Sequence, residues 1–70
     1  MSITPNAILR GGAGVPDQER VRYVANIADT FKLHLANRYE HYEPTDAKHT
    51  RHDGLELRVF EWVCRTYVAE

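Results

Sequence analysis

A single cysteine, Cys64, is present, so no internal disulfide can form, and a lone thiol favours a reducing compartment. No apolar run is long enough to span a bilayer, and the first residues, MSITPNAILRGG, lack the charged start and apolar stretch of a signal peptide. We therefore expect a cytoplasmic protein that does not enter a membrane. Nine basic and ten acidic residues give a net charge of −1. This balance argues against a nucleic-acid partner, because a surface that tracks phosphates needs a positive field.

The chain is also short, and we expect residues 1–70 to form a single small domain. Below about 70–80 residues a single core seldom supplies more than about 3–5 kcal/mol, and such domains usually add a disulfide, a metal or a partner subunit. His49 and His52 have a His-x-x-His spacing and are the candidate metal ligands. Zinc takes about four ligands, and this loop lacks the usual paired cysteines. We therefore expect no metal and no other cofactor, which leaves self-association as the expected source of extra stability.

The glycines cluster near the start, at Gly11, Gly12 and Gly14. They follow a short apolar run, so we predict a strand over residues 6–10 and then a loop. No Gly-Lys-Ser/Thr follows, and the spacing does not fit Gly-x-Gly-x-x-Gly. The glycines therefore indicate a turn and no phosphate-binding motif.

Residues 17–42 allow two interpretations. Apolar residues recur near a three-four spacing, as in a helix, but that helix would be about 26 residues long against a mean of about 11–12. Alternation of Phe31, Leu33 and Leu35 favours strands instead, over residues 19–26 and 31–42. A mixed α+β fold with a helix in this region remains the alternative.

The C-terminal third has the strongest β pattern. We predict strands over residues 47–52 and 55–68, joined at Asp53-Gly54, a frequent hairpin dipeptide. The apolar alternation of the last strand changes phase near Val59-Phe60, which predicts a bulge or a strand that is covered on both sides. On the second of its faces we expect Trp62 to be the main core anchor, packed against Phe60 or Val68. Cys64 is expected there as a small buried hydrophobe.

Three stretches, ILRGG, NRYEHYEPT and LRVFEWVCRTYVAE, resemble a family of actinobacterial proteins of unknown function and about this length. The resemblance rests on Tyr39-Glu40-His41-Tyr42 and on an Arg-Thr-x-x-Ala-Glu tail, matched by Arg65, Thr66, Ala69 and Glu70. Relatives tend to have proline and glycine where residues 22–38 align, which implies strands there and no long helix. The resemblance also implies an actinobacterial cytoplasm and a tendency to occur near specialised-metabolite genes.

The candidate site centres on His41, because an imidazole titrates near neutral pH and a neighbouring carboxylate can orient it. In an extended segment His41 shares a face with Tyr39 and Glu43. This row could reach a cross-strand partner such as Arg65 or Glu61. The alternative is a histidine that only links two strands by hydrogen bonds. Cys64 could act as a nucleophile only if its strand paired with that of His41.

Together these patterns predict an all-β fold, a mostly antiparallel sheet of about five strands. Because so short a chain has little room for both a core and a pocket, we expect a non-catalytic binding module rather than an enzyme. Its expected partner is another protein or a second copy of itself, as a two-fold homodimer. The expected binding residues are Tyr39, His41, Tyr42, Arg65 and Tyr67. The alternatives are a small ligand-binding protein or enzyme centred on Tyr39, His41 and Glu43, and, third, a nucleic-acid-associated regulator.

Overall fold

The computed structural model describes residues 3–68, which form one five-stranded sheet. The strands are β1 (Ala7–Arg10), β2 (Val21–Arg22), β3 (Phe31–Leu35), β4 (Arg38–Thr50) and β5 (Glu56–Tyr67). Their order across the sheet is β2-β1-β5-β4-β3; β1 runs parallel to β5, and the other neighbours are antiparallel. The predicted all-β class is confirmed. The helical alternative is wrong, since the only helical element in residues 17–42 is a 3-10 turn at Asp17–Glu19.

Two predicted strand boundaries are wrong because a hairpin interrupts residues 31–42. β3 ends at Leu35 and β4 begins at Arg38, so Ala36 and Asn37 form the turn between paired residues. Ala36 has a φ of 52°, a left-handed conformation that a glycine would adopt at less cost. No glycine or proline marks this turn, so the sequence shows no break within residues 31–42. The predicted strand 47–52 is the second half of β4, which is continuous from Arg38 to Thr50.

The predicted strand 19–26 is reduced to Val21–Arg22, and a side chain holds the rest of that segment. Asn6 donates from Nδ2 to the Val24 carbonyl at 2.9 Å and accepts from the Val24 amide at 2.7 Å. Val24 is buried, whereas its neighbours Tyr23 and Ala25 are exposed. An amide side chain therefore replaces the ladder of a strand in this segment.

The hairpin at Asp53-Gly54 and the irregularity near Val59-Phe60 are both confirmed. The Gly54 amide donates to the Arg51 carbonyl at 2.9 Å, with Gly54 at φ 87°. Opposite Val59 the register of β4 shifts between Pro44 and Lys48, which inserts extra residues. Val59 and Phe60 are consecutive and both buried, so both faces of the sheet are covered at this point.

The main core lies on one face of the sheet, which we call the inner face. Two loops cover it: the segment after β1 contributes Val15, and the segment after β2 contributes Val24. The buried core residues are Ala7, Leu9, Val15, Val24, Leu33, Tyr42 and Phe60. Trp62 is not among them and is 37% exposed, so the prediction that it is the main core anchor is wrong. Among residues 3–68, no helix has the length and apolar character that crossing a membrane requires.

Candidate functional site: a buried carboxylate beneath a glycine loop

The most distinctive side chain of the inner face is Glu40, a carboxylate that is fully buried. It lies on β4, between Leu33 of β3 and Arg65 of β5. Its Oε2 accepts from Arg38 Nε at 2.6 Å and from Arg65 Nε at 2.7 Å, while its Oε1 accepts from Trp62 Nε1 at 2.8 Å. Burial of an unpaired carboxylate is costly, and these three charge-assisted or indole hydrogen bonds compensate for it.

The pKa of Glu40 follows from the same contacts. Burial raises the pKa, but the hydrogen bonds from Trp62, Arg38 and Arg65 outweigh burial and hold the pKa below its ordinary value. The hydrogen bond to Glu40 in turn raises the pKa of Arg65. Glu40 is therefore an anion at neutral pH. It has no exposed surface through which it could exchange a proton with a substrate.

The two arginines also bind the segment that covers them, residues 11–15, which we call the glycine loop. Arg38 Nη2 donates to the Gly14 carbonyl at 3.3 Å, and Arg65 Nη2 donates to the Ala13 carbonyl. Tyr42, next to them on the inner face, donates from its hydroxyl to the Gly11 carbonyl at 3.0 Å. Glu40 thus orients two guanidinium groups, and these in turn hold the loop on the sheet.

A third arginine, Arg20, holds the loop from its other side. Its Nη1 donates to the carbonyls of Leu9 at 3.1 Å and Gly11 at 2.7 Å. Its Nη2 donates to the carbonyls of Gly12 and Val15, both at 3.3 Å. One planar guanidinium therefore contacts four carbonyl groups, an arrangement that a lysine ammonium cannot reproduce.

The glycine at position 12 is required by close packing. A Cβ there would lie 2.8 Å from Trp62 Cδ1 and 2.8 Å from the Tyr42 hydroxyl, and its φ is +88°. Both the space and the backbone conformation therefore exclude larger residues. Glycine at this position allows the loop backbone to lie directly on Trp62 and Tyr42.

The predicted row Tyr39, His41 and Glu43 lies on the opposite side of the sheet, the outer face. His41 Nε2 is 2.8 Å from the Thr66 hydroxyl, so its cross-strand partner is Thr66. The expected partner Arg65 is wrong, because Arg65 is on the inner face with Glu40. Glu61 is opposite Glu43, and these two like charges are both exposed.

Other side chains of the outer face extend this row. The His34 ring stacks on the Tyr39 ring with centroids 4.7 Å apart, and Lys32 Nζ is 5.6 Å from the same Tyr39 centroid. Cys64 is directly opposite His41, so the strands of these two residues do pair. Cys64 is exposed, and the expectation of a buried thiol is therefore wrong.

The remaining predicted site residues are dispersed. Tyr42 is in the core, where burial raises its pKa, while Tyr67 is exposed at the end of β5. His49 is on β4 and His52 is in the hairpin turn. Within residues 3–68 no group of three or more histidine, cysteine, aspartate or glutamate side chains is arranged to hold a metal ion. Ala69 and Glu70, the last part of the tail motif, lie outside the described residues.

Sequence reasoning missed Glu40 and Arg20 as the residues that organise the inner face. One signal for Glu40 exists: Arg38, Glu40 and Tyr42 alternate, so all three share a face in a strand. No signal shows that this face is covered by the glycine loop, because the contact joins residues distant in sequence. Arg20 is likewise nine residues from Gly11, beyond the reach of any local pattern.

Two further surface features lie at Trp62 and along the end of β5. A cavity of about 290 Å³ lies beside Trp62 and is lined by Arg10, Gly11, Gly12, Glu61 and Trp62. From this cavity to the end of β5 the chain exposes large apolar side chains. They are Trp62 at 37%, Val63 at 46%, Tyr67 at 66% and Val68 at 41% exposed.

The family model that matches residues 1–70 is described as a family of unknown function (DUF5988). No curated protein and no solved structure matches the chain. What the protein does is therefore inferred from its own residues.

Proposed function

We propose that this chain, which belongs to the family of unknown function DUF5988, is a non-catalytic protein-binding module. The observation that supports this proposal best is the apolar surface of residues 62–68. Four of the seven large apolar residues that are exposed in residues 3–68 lie within this segment. Aromatic side chains in such clusters are the residues on which protein interfaces most often depend.

The ionisable groups of the inner face support the same proposal, because each of them already makes hydrogen bonds within the fold. Glu40 is saturated by three donors, and Arg38 and Arg65 are used for Glu40 and for loop carbonyls. A catalytic acid or base needs access to a substrate atom, and Glu40 has none. These groups stabilise the sheet and its covering loop, which suits a module that presents a surface.

For its setting we propose an actinobacterial cytoplasm and an accessory role in a specialised-metabolite pathway. This setting is supported by the resemblance of the Tyr39-Glu40-His41-Tyr42 and Arg65-Thr66 motifs to those of small actinobacterial proteins of unknown function. The module would there bind another protein chain through residues 62–68. A pull-down from the native cell tests both the binding of a protein and the role in a pathway, because the identity of the captured protein shows which pathway it serves.

The decisive form of that pull-down compares three tagged chains. Wild type should retain a partner, and Tyr67→Lys should lose it, because a lysine ammonium in an apolar contact costs several kcal/mol of desolvation. Tyr23→Lys is the matched control, since Tyr23 is 51% exposed but outside the 62–68 surface. Equal capture by all three chains would show that residues 62–68 are not the binding surface.

A second candidate function is a small ligand-binding protein or enzyme centred on Tyr39, His41 and Glu43. The pairing of His41 with the exposed Cys64 favours it, since a base and a thiol lie on adjacent strands. It predicts that a small molecule co-purifies with the wild type and not with His41→Gln. Mass spectrometry of the extracted protein measures this directly. Identical small-molecule content in the two chains would exclude His41 as a ligand contact.

The third candidate, a nucleic-acid-associated regulator, would require a continuous positive stripe. Arg38 and Arg65 are paired with Glu40, and Arg51 Nη2 is 3.5 Å from an Asp53 carboxylate oxygen. These pairs reduce the field that phosphates would meet. We therefore rank this function below the other two.

A further inference from the structure

The unpaired edge of β5 is the surface from which a specific partner can be inferred. β1 pairs only with Arg58–Glu61 of β5, and Gly11 then lies against Trp62 as the chain turns over the inner face. Residues 63–67 therefore have β4 on one side and no described strand on the other. A row of backbone amide and carbonyl groups without strand partners is a template for another strand.

The other free edges of the sheet have features that oppose pairing with another chain. β3 presents Lys32 and His34, and β2 is only two residues long. Where β4 extends beyond Tyr42, the strand contains Pro44, which has no amide donor, and its register with β5 is irregular. Charge, proline, bulges and shortness are the devices by which proteins block edges.

Of these protections, residues 63–67 have only a bulge, at Val63. Arg65 is their only charged residue, and its guanidinium is already bound to Glu40 on the inner face. The side chains of Val63 and Tyr67 are exposed and apolar. Of the described edges, this one is therefore open and largely apolar, and its one charged side chain, Arg65, is paired with Glu40.

We propose that the occupant of this edge is a second copy of the chain, paired antiparallel along residues 63–67 about a two-fold axis near Arg65. The inference rests on the proposed function and names its partner. Antiparallel pairing of a strand with itself is isologous, so one edge satisfies both copies and the assembly closes as a dimer. It would join two five-stranded sheets into one continuous sheet.

The self-complementarity of the segment supports this choice of partner. The cavity beside Trp62 lies at one end of the open edge. Tyr67, the most exposed apolar residue of the edge, lies at the other end. Val63 and Tyr67 are four residues apart, or about 14 Å along a strand. An axis at Arg65 places the Tyr67 of each copy opposite the other copy's Val63, next to that copy's cavity.

Sedimentation equilibrium of the full chain measures the first consequence. Wild type should have twice the monomer mass of 8.1 kDa and dissociate on dilution. Val63→Lys and Tyr67→Lys should each raise the dimer dissociation constant at least about tenfold, as expected for an interface hot spot. Tyr23→Lys should leave the constant unchanged. Both test positions are exposed, and circular dichroism of each variant checks that it folds.

Cys64 provides a second, independent measurement, because it is the only cysteine and is adjacent to the proposed axis. A short bis-maleimide should link two wild-type chains covalently at protein concentrations above the dissociation constant, and should fail to link Val63→Lys. A wild-type dimer that resists this linkage would place the interface elsewhere and overturn the proposal. A wild-type chain that stays monomeric at all concentrations would overturn it as well.

Failure of this inference is distinguishable from failure of the proposed function. A monomeric chain whose Tyr67→Lys variant loses a different protein in the pull-down refutes the self-pairing and supports the binding module. A dimer that captures only its own chain supports the self-pairing and refutes the binding of a pathway protein.

Discussion

Replacing Glu40 with glutamine tests whether the buried carboxylate stabilises the fold. The change keeps the shape of the side chain and an oxygen acceptor for Trp62, but it removes the negative charge beside Arg38 and Arg65. A hydrogen bond to a charged group contributes about 1.5–3 kcal/mol, and two such bonds end on Oε2. The arginine side chains are 24% and 27% exposed, so water recovers part of the loss.

We therefore expect Glu40→Gln to lower the free energy of unfolding by about 2–4 kcal/mol. A domain of this size has a margin of about 3–5 kcal/mol from its core, so the variant should be close to unfolded at room temperature. Urea denaturation at fixed protein concentration measures this, with fluorescence of the single tryptophan as the probe. Trp62 reports on the site itself, since its indole contacts Glu40.

Glu43→Gln is the matched control, because Glu43 is exposed on the same strand and the change should alter stability by less than about 0.5 kcal/mol. The pH dependence gives a second check. The folded-state pKa of Glu40 is depressed, so its stabilisation is complete above its ordinary value of 4.5 and is lost as pH falls through the folded-state pKa. Wild type should lose stability in this acid range, and Glu40→Gln should lose less. Equal stability of the two glutamine variants would refute the structural role of Glu40.

Three further changes test the glycine loop and the hairpin. Gly12→Ala should lower the free energy of unfolding by about 1–3 kcal/mol, because the added Cβ would lie 2.8 Å from Trp62 and Tyr42. Gly54→Ala is the control, since Gly54 has a similar φ but open space around it. A smaller loss of stability in Gly54→Ala would assign the difference to the clash. Arg20→Lys should lower the melting temperature, since an ammonium cannot contact all four carbonyls; an unchanged melting temperature would contradict this role. Ala36→Gly should stabilise by up to about 1 kcal/mol in urea denaturation, because it relieves a φ of 52°; a loss of stability would show that the turn is not strained.

Several elements could be predicted because their signals are local. The alternation in residues 55–68 identified β5, and Asp53-Gly54 identified its hairpin. The change of phase at Val59-Phe60 located a register shift before any pairing was known. In each case the period of the strand or the φ preference of one residue is enough, since neither depends on a distant partner.

Other elements could not be predicted because they depend on which strands become neighbours. The parallel pairing of β1 with β5 joins residues about 50 positions apart, and no local pattern encodes it. That pairing brings the glycine loop over β4 and β5, which buries Glu40 and leaves Trp62 at the margin of the core. The turn at Ala36-Asn37 has an alanine instead of a glycine at its left-handed position, and pairing of its two strands stabilises it.

By itself, then, the sequence predicted an all-β fold with a glycine-rich turn and an apolar final strand whose alternation changes phase. Only the tertiary structure decided which charges are buried, which aromatics are exposed and which edge of β5 remains open. The physical reason is that strand period and turn preference are properties of neighbouring residues, whereas burial and pairing are set by contacts between residues far apart in the chain.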